Sequence, residues 1–286
     1  MSIQKYLDKI SIKENSLILI TGGTSGVGLC AVHHLLKKNC RVVILARNIE
    51  KANRITNDLK QKFNNAYIKI IRYDQSDAKI IKEACLEIKN KYSNFDALIL
   101  NAGVFIPRED TEPKAIPLTI KTNYFGMRFF LENLRKEIDI KPSQRVVIQG
   151  SFVSAFKQKK IKSFTDKLSR INQYNISKAS VEAYYHHLAT TTDLNICLVE
   201  PGLTNSDIIR DLPKVIRFFG KIFLKLVSHS PKKAALTILK ALDENTPNHS
   251  FIVPRGLFTF MGYPKYKKFT KKRERNWLVL LYEDND

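Results

Sequence analysis

Residues Thr21, Gly22, Gly23, Thr24, Ser25, Gly26, Val27 and Gly28 form a glycine-rich turn. It lies between an apolar run, Leu17 to Thr21, and a stretch from Leu29 to Lys38 whose apolar residues recur at helical spacing. Few folds send a buried strand straight into a helix through such a turn. Glycines at 22, 26 and 28 let the main chain turn tightly, let an anion approach the backbone, and let helix and strand pack closely. The helix N-terminus then offers unpaired N–H groups to a pyrophosphate. The spacing is G-x-x-x-G-x-G, not G-x-G-x-x-G, and a glycine-rich turn can also be purely structural, so its weight comes from the strand-to-helix setting.

The rest of the chain repeats that setting. Extended segments are expected at Arg41 to Ala46, Ala66 to Arg72, Ala97 to Asn101, Arg145 to Ile148, Asn195 to Glu200 and Ser250 to Val253. Between them, helical spacing covers Lys51 to Phe63, Asp77 to Tyr92, Leu118 to Lys136, a long stretch through Tyr174 to Thr190, Val215 to Val227 and Pro231 to Leu242. Strand–helix alternation of this kind predicts an α/β fold: a Rossmann-type, doubly wound parallel sheet of about seven strands with helices on both faces. No Pro/Gly/Ser-rich linker interrupts it, so residues 1–286 are expected to form one domain, with a substrate lid at about 205–230 and a basic extension at about 255–286.

Composition bounds partners and compartment. The 286 residues carry a formal net charge of +21, which is compatible with nucleic acid, an anionic surface or a generally Lys-rich composition. The basic residues are mostly scattered. Two clusters stand out, Lys157, Lys159, Lys160 and Lys162, then Lys265, Lys267, Lys268, Lys271, Lys272, Arg273 and Arg275, and neither has the aromatic interleaving or zinc spacing of a nucleic-acid module. No nucleic-acid partner is expected. The segment Val215 to Val227 is strongly apolar with Arg217, Lys221 and Lys225 four apart, which suits either a lid packed on its own domain or peripheral contact with an anionic membrane. Cys30, Cys40, Cys85 and Cys197 lie far apart, and Met1 to Ser16 lacks the apolar core of a signal peptide, so a cytoplasmic, reduced location is expected, possible membrane association aside. His33-His34 and His186-His187 have no carboxylate or Cys partner at metal spacing, His229 and His249 are isolated, and no metal site is expected.

Candidate functional residues fall at the carboxyl ends of the expected strands, where an open α/β sheet binds its ligand. After the second strand come Ala46, Arg47 and Asn48 in place of the acidic residue that holds ribose hydroxyls; a guanidinium there suits a 2′-phosphate and favours NADP(H), unless Arg47 is an ordinary surface residue. Asp74 and Gln75 follow the third strand, where Asp74 could meet the adenine amino group or serve as a cap or turn residue. Asn101, Ala102 and Gly103 follow the fourth and leave room for an adenosine. Tyr174 and Lys178, at i and i+4, share a helix face, where the ammonium lowers the phenol from its ordinary value of about 10.

With Ser151 just past the fifth strand and Asn123 in the helix before it, these motifs in this order resemble the classical short-chain dehydrogenase/reductase family over roughly Leu17 to Leu212. The resemblance implies that Ser151 polarises a substrate oxygen, Tyr174 exchanges its proton, Lys178 tunes Tyr174 and binds ribose, and Asn123 holds a water in a proton relay. Pro201-Gly202 matches the segment beside the nicotinamide. The long basic insertion between Ser151 and Tyr174, with Ala46-Arg47-Asn48, is similar to the retinol dehydrogenase and protochlorophyllide reductase branch, whose members favour NADP(H) and apolar carbonyl substrates. Gly150 replaces the more usual Ser, and Ser206 stands where a Thr commonly follows Pro-Gly.

The expectation is thus an NADP(H)-dependent oxidoreductase acting on an alcohol or carbonyl of an apolar small molecule. Phe152, Phe156, Phe218, Phe219 and Phe223 would line its pocket or simply join the core. The resemblance implies a homo-oligomer, dimer or tetramer. A non-catalytic NADP(H)-binding sensor or scaffold of the same fold is the alternative, and loss of Tyr, Lys or Ser would be its signature.

Overall fold

The computed structural model describes residues 1–105, 115–156, 161–204, 229–256 and 261–268. Their strands are β1 (Leu17–Thr21), β2 (Arg41–Ala46), β3 (Ile68–Arg72), β4 (Ala97–Leu100), β5 (Arg145–Gln149), β6 (Asn195–Val199), β7 (Phe251–Pro254) and β8 (Pro264–Tyr266). They form one sheet in the order β3-β2-β1-β4-β5-β6-β7-β8. Pairing is parallel from β3 through β7, and β8 closes the edge antiparallel to β7. The eighth strand is an addition to the seven expected. It is three residues long, begins with Pro264 and sits in a basic stretch, so it carries no β-branched run to betray it.

Helices cover both faces: α1 (Ile3–Leu7), α2 (Gly26–Lys37), α3 (Ile49–Lys62), α4 (Ala78–Tyr92), α5 (Leu118–Ile120), α6 (Met127–Glu137), α7 (Arg170–Thr191), α8 (Pro231–Ala234) and α9 (Leu236–Leu242). The pleat divides the strand side chains between them. Leu17, Leu19, Val43, Leu45, Leu98, Leu100, Val146, Ile148, Ile196 and Leu198 join the core under α4, α6 and α7. Ile18, Ile20, Val42, Ile44, Ile99, Val147, Cys197 and Val199 join the one under α2, α3 and α9. Burial on both faces explains why these strands read as continuous apolar runs without alternation. Each fully buried Leu, Ile or Val stabilises the sheet by about 1.5–3 kcal/mol.

Three local departures matter for the site. The helix expected from Leu118 to Lys136 is broken by a π-helical segment, Lys121–Gly126, which contains Asn123. α2 starts at Gly26, three residues before its periodic apolar stretch, so the glycine turn merges into its first turn. The insertion after Ser151 is partly core: Ile161, Phe164 and Leu168 are buried, and the Phe164 ring meets Tyr124 at 5.9 Å and Phe125 at 5.1 Å between centroids. Residues 157–160, 205–228 and 269–286, with the expected lid, Phe218, Phe219, Phe223, Ser206 and most of the basic clusters, lie outside the described residues.

Candidate active site

Strand order reverses between β1 and β4, so a crevice opens at their carboxyl ends. Thr21 stitches its two sides together. Its Oγ1 accepts from the N–H of Asn101 at 3.0 Å and of Ala102 at 2.9 Å, while the Asn101 amide donates to the carbonyls of Thr21 (2.9 Å) and Gly22 (3.2 Å). Side chains are excluded by this close approach: a Cβ on Gly28 would lie 2.3 Å from the Gly22 oxygen, and Gly22 itself has φ +69. Ser25, the N-cap of α2, makes no side-chain cap hydrogen bond, so the first turn of the helix keeps N–H groups for an anion. This cradle, bounded by Thr24, Ser25, Gly26 and Val27, fits a dinucleotide pyrophosphate.

The flanking candidates divide by what already occupies them. Arg47 is exposed just past β2 and has no ion pair among the described residues. Asn48 beside it caps α3, accepting from Lys51 N at 2.7 Å. Asp74 forms a turn, accepting from the Ser76 N–H at 2.9 Å and its hydroxyl at 2.7 Å, the cap-or-turn role left open by the sequence. Gln75 is buried and its amide donates to Thr122 O (2.8 Å) and Ala102 O (3.3 Å), so its side chain ties β3 to the π-helical segment and the crevice wall.

Ser151, Tyr174 and Lys178 converge at the neighbouring edge. Ser151 follows β5 as the N-cap of a 3-10 turn, Phe152–Ala155, and acts on the Tyr174 phenol of α7, lowering its pKa. All three residues are under 9% exposed. Lys178 Nζ donates to the Gln149 carbonyl at 3.1 Å, and a Cβ on Gly103 would lie 3.6 Å from that nitrogen, so the Asn101-Ala102-Gly103 segment and α7 are in contact. α7 can carry polar groups inward because it is enclosed nearly all round: every residue from Ile176 to Tyr185 is buried.

Asn123 serves a different purpose from a simple water ligand. Its Oδ1 accepts from Val104 N at 2.7 Å, while its Nδ2 donates to Val104 O at 2.9 Å and to Ser177 Oγ at 3.1 Å; Ser177 in turn donates to the Tyr174 carbonyl at 2.8 Å. The side chain is committed to joining the loop after β4 to α7. A hydrogen-bonded water would therefore have to be met by its main chain.

Burial dominates the electrostatics. It pushes the Tyr174 phenol above its ordinary value, opposite to the lowering by Lys178 that the sequence suggested, with Ser151 pulling back, and it brings the Lys178 ammonium from 10.5 down to about 8. The phenol thus rests protonated, ready to give a proton. Phe105, which the sequence did not single out, packs edge-on to Tyr174 at 4.7 Å between ring centroids, and Phe152 and Phe156 meet at 5.9 Å nearby in the chain from Ser151. Pro201 and Gly202 continue from β6, next to β5, with Gly202 at φ +76. His229 was also missed; its ring nitrogen hydrogen-bonds the Pro201 carbonyl. Its one sequence signal was its place just before Ser230-Pro231, a cap-and-N1 pair opening α8.

Comparison with known proteins places this arrangement. Residues 16–215 match the family described as short chain dehydrogenase. The chain is 26% identical over 293 aligned residues, 94% of this chain and 92% of the relative, to the short-chain dehydrogenase/reductase pkfC of Emericella nidulans. It is 23% identical to polyprenol dehydrogenase of Homo sapiens over 80% of this chain and 73% of that one. Among solved structures, a protein from Mycobacterium paratuberculosis matches with a TM-score of 0.72 at 17% identity, covering 96% of this chain and 93% of that one.

Proposed function

The chain belongs to the short-chain dehydrogenase family, oxidoreductases that bind nicotinamide cofactors and act on small molecules, and from that premise we propose that it is an NADP(H)-dependent enzyme interconverting a carbonyl and an alcohol on an apolar substrate. The observation that carries the proposal is the convergence of the Ser151 hydroxyl, the Tyr174 phenol and the Lys178 ammonium beside the glycine-lined crevice. The alternative of a non-catalytic scaffold loses support because no member of that trio is missing or turned away.

When bound, the nicotinamide supplies or takes up a hydride at its C4. The chain's own residues do the remainder. In reduction, Ser151 would donate a hydrogen bond to the substrate carbonyl oxygen, and Tyr174 would pass its phenolic proton to that oxygen, leaving a phenolate. Lys178 stabilises the phenolate left behind until a solvent proton restores it. In oxidation the phenolate takes the alcohol proton. Asn123 acts as a positioning residue, holding the loop after β4 against α7. Gly22, Gly26 and Gly28 with Thr24, Ser25 and Val27 would hold the pyrophosphate, Arg47 a 2′-phosphate, Asp74, Asn101, Ala102 and Gly103 the adenosine side, and Lys178, Pro201 and Gly202 the nicotinamide ribose and ring.

An apolar substrate is supported by the aromatic rings of Phe105, Phe152 and Phe156 near Ser151 and Tyr174, and by the relative named for polyprenol, a long apolar alcohol. The same features favour the retinol dehydrogenase-like branch. We take residues 1–286 as one domain in the cytoplasm, with peripheral membrane contact through its basic C-terminus as an option that salt-sensitive binding to anionic vesicles would test. Among the described residues no helix is long and apolar enough to cross a membrane. A carbonyl panel followed by NADPH absorbance tests the function; no consumption across apolar ketones and aldehydes would overturn it.

A further inference from the structure

The chain leaves β6 through Pro201, Gly202, Leu203 and Thr204 and comes back to the same place at His229. The main chain of His229 pairs with Thr204 in a parallel bridge, and its N–H donates to Leu203 O at 3.0 Å. The imidazole makes a third tie, from Nε2 to the Pro201 carbonyl. Since a carbonyl only accepts, Nε2 carries the hydrogen, and the neutral ring is left with a bare Nδ1. That nitrogen is buried and meets no partner among the described residues, in a residue only 7% exposed.

His34 repeats the arrangement from the other side. It lies on α2, the helix that begins in the glycine turn, and its Nε2 reaches the Lys232 carbonyl of α8 at 3.0 Å while its Nδ1 is likewise buried without a partner among the described residues. Two buried histidines therefore fasten one short stretch, residues 229–232, to two other elements: to the last turn of α2 and to the Pro201-Gly202 segment. That segment lies one strand from Ser151, and the Gly150 N–H donates to Val199 O at 2.9 Å across β5 and β6.

Resting on the nicotinamide-binding reading above, we propose that His229, held to α2 through the His34–Lys232 contact, is a positioning residue for the cofactor site: its ring fixes the Pro201 peptide and thereby the Gly202 turn that forms the nicotinamide-side wall. Gly202 sits at φ +76, one of several conformations open to a glycine, so contacts on the neighbouring Pro201 peptide select it. The electrostatic surroundings favour the neutral tautomer. Burial lowers both rings below the usual histidine value, with the Lys233 charge adding to this at His229 and Lys37 and Lys232 adding to it at His34. The carbonyl contacts of Pro201 and Lys232 work in the opposite sense.

The test uses the full chain and three variants. In His229→Gln the amide nitrogen lies about as far from the backbone as Nε2 and can still donate to Pro201; His229→Asn is polar but too short, and His229→Leu has no donor. NADPH binding is read by fluorescence titration, turnover by absorbance, and folding by thermal melting. The expected result is that Leu and Asn weaken NADPH binding by about tenfold, the equivalent of one buried hydrogen bond to a positioned group, with the loss falling on the cofactor KM more than on kcat. Gln restores both. Wild-type affinity in His229→Leu, or equal affinities in Asn and Gln if the Leu variant fails to fold, overturns the positioning role. A wild-type chain that binds neither NADPH nor NADH instead removes the reading on which this role rests, and the two failures are told apart by that control.

Discussion

The Ser151 hydroxyl acts on the Tyr174 phenol, drawing it down against the push of burial, although a basic insertion separates the two residues along the chain and they sit on different elements, a turn after β5 and the helix α7. The contact fixes where a substrate oxygen must lie, since it has to be reached by both groups. Ser151→Ala should lower kcat by about 10²–10³-fold, the usual effect of removing one donor to a reacting oxygen, with cofactor affinity unchanged. Steady-state kinetics and NADPH titration together check this; a kcat within a few-fold of wild type would contradict it.

The proposed role of Lys178 predicts an alkaline limit. Burial holds its ammonium at about 8, so on that proposal the charge meant to steady the Tyr174 phenolate fades above that pH. The pH profile of kcat/KM for the cofactor, which reports groups of the free enzyme, should fall on its alkaline side near pH 8. A plateau continuing past pH 10 would contradict the assignment.

Arg47 stands exposed past the end of β2, where a 2′-phosphate would lie. Arg47→Ala should weaken NADPH by about tenfold or more and NADH little, because only the former loses a charge-assisted hydrogen bond. Equal loss for both cofactors, measured by fluorescence titration, would show that the guanidinium does not read the phosphate.

Three histidines make the fold acid-sensitive. Burial first, then the Lys62 charge, lowers His33 from 6.5 to about 4, and burial also lowers His34 and His229. Their native values lie below the unfolded one, so the unfolded chain takes up protons that the native chain refuses as the pH drops below 6.5. Stability is full above about pH 6.5 and declines toward pH 4. The melting temperature should fall across that window, and glutamine at 33, 34 and 229 together should flatten the fall; an unchanged slope in the triple variant would refute the linkage.

Much of the fold was legible in the sequence because its signals are local. A buried parallel strand is a continuous apolar run, and the glycine turn and Tyr174/Lys178 spacing each fit within eight residues. What escaped depends on contacts between distant segments. Gln75 could be named from its place after β3, but not the carbonyls of Ala102 and Thr122 that hold its amide, which the sequence does not place beside it. Asn123 could be named but not its pairing with Val104 and Ser177, and the π-helical turn that carries it leaves no mark on apolar periodicity. His229 looked isolated because its partner, Pro201, lies on the far side of the segment 205–228. β8 was missed for want of length.

The most direct measurement concerns Tyr174. With an apolar carbonyl substrate turned over by the wild-type chain, Tyr174→Phe keeps the ring packed against Phe105 and removes only the hydroxyl. NADPH oxidation should fall by at least about 10³-fold, beyond the lower range for loss of a general acid, while the NADPH dissociation constant stays within a few-fold. Turnover persisting at the wild-type rate would contradict proton transfer by this phenol.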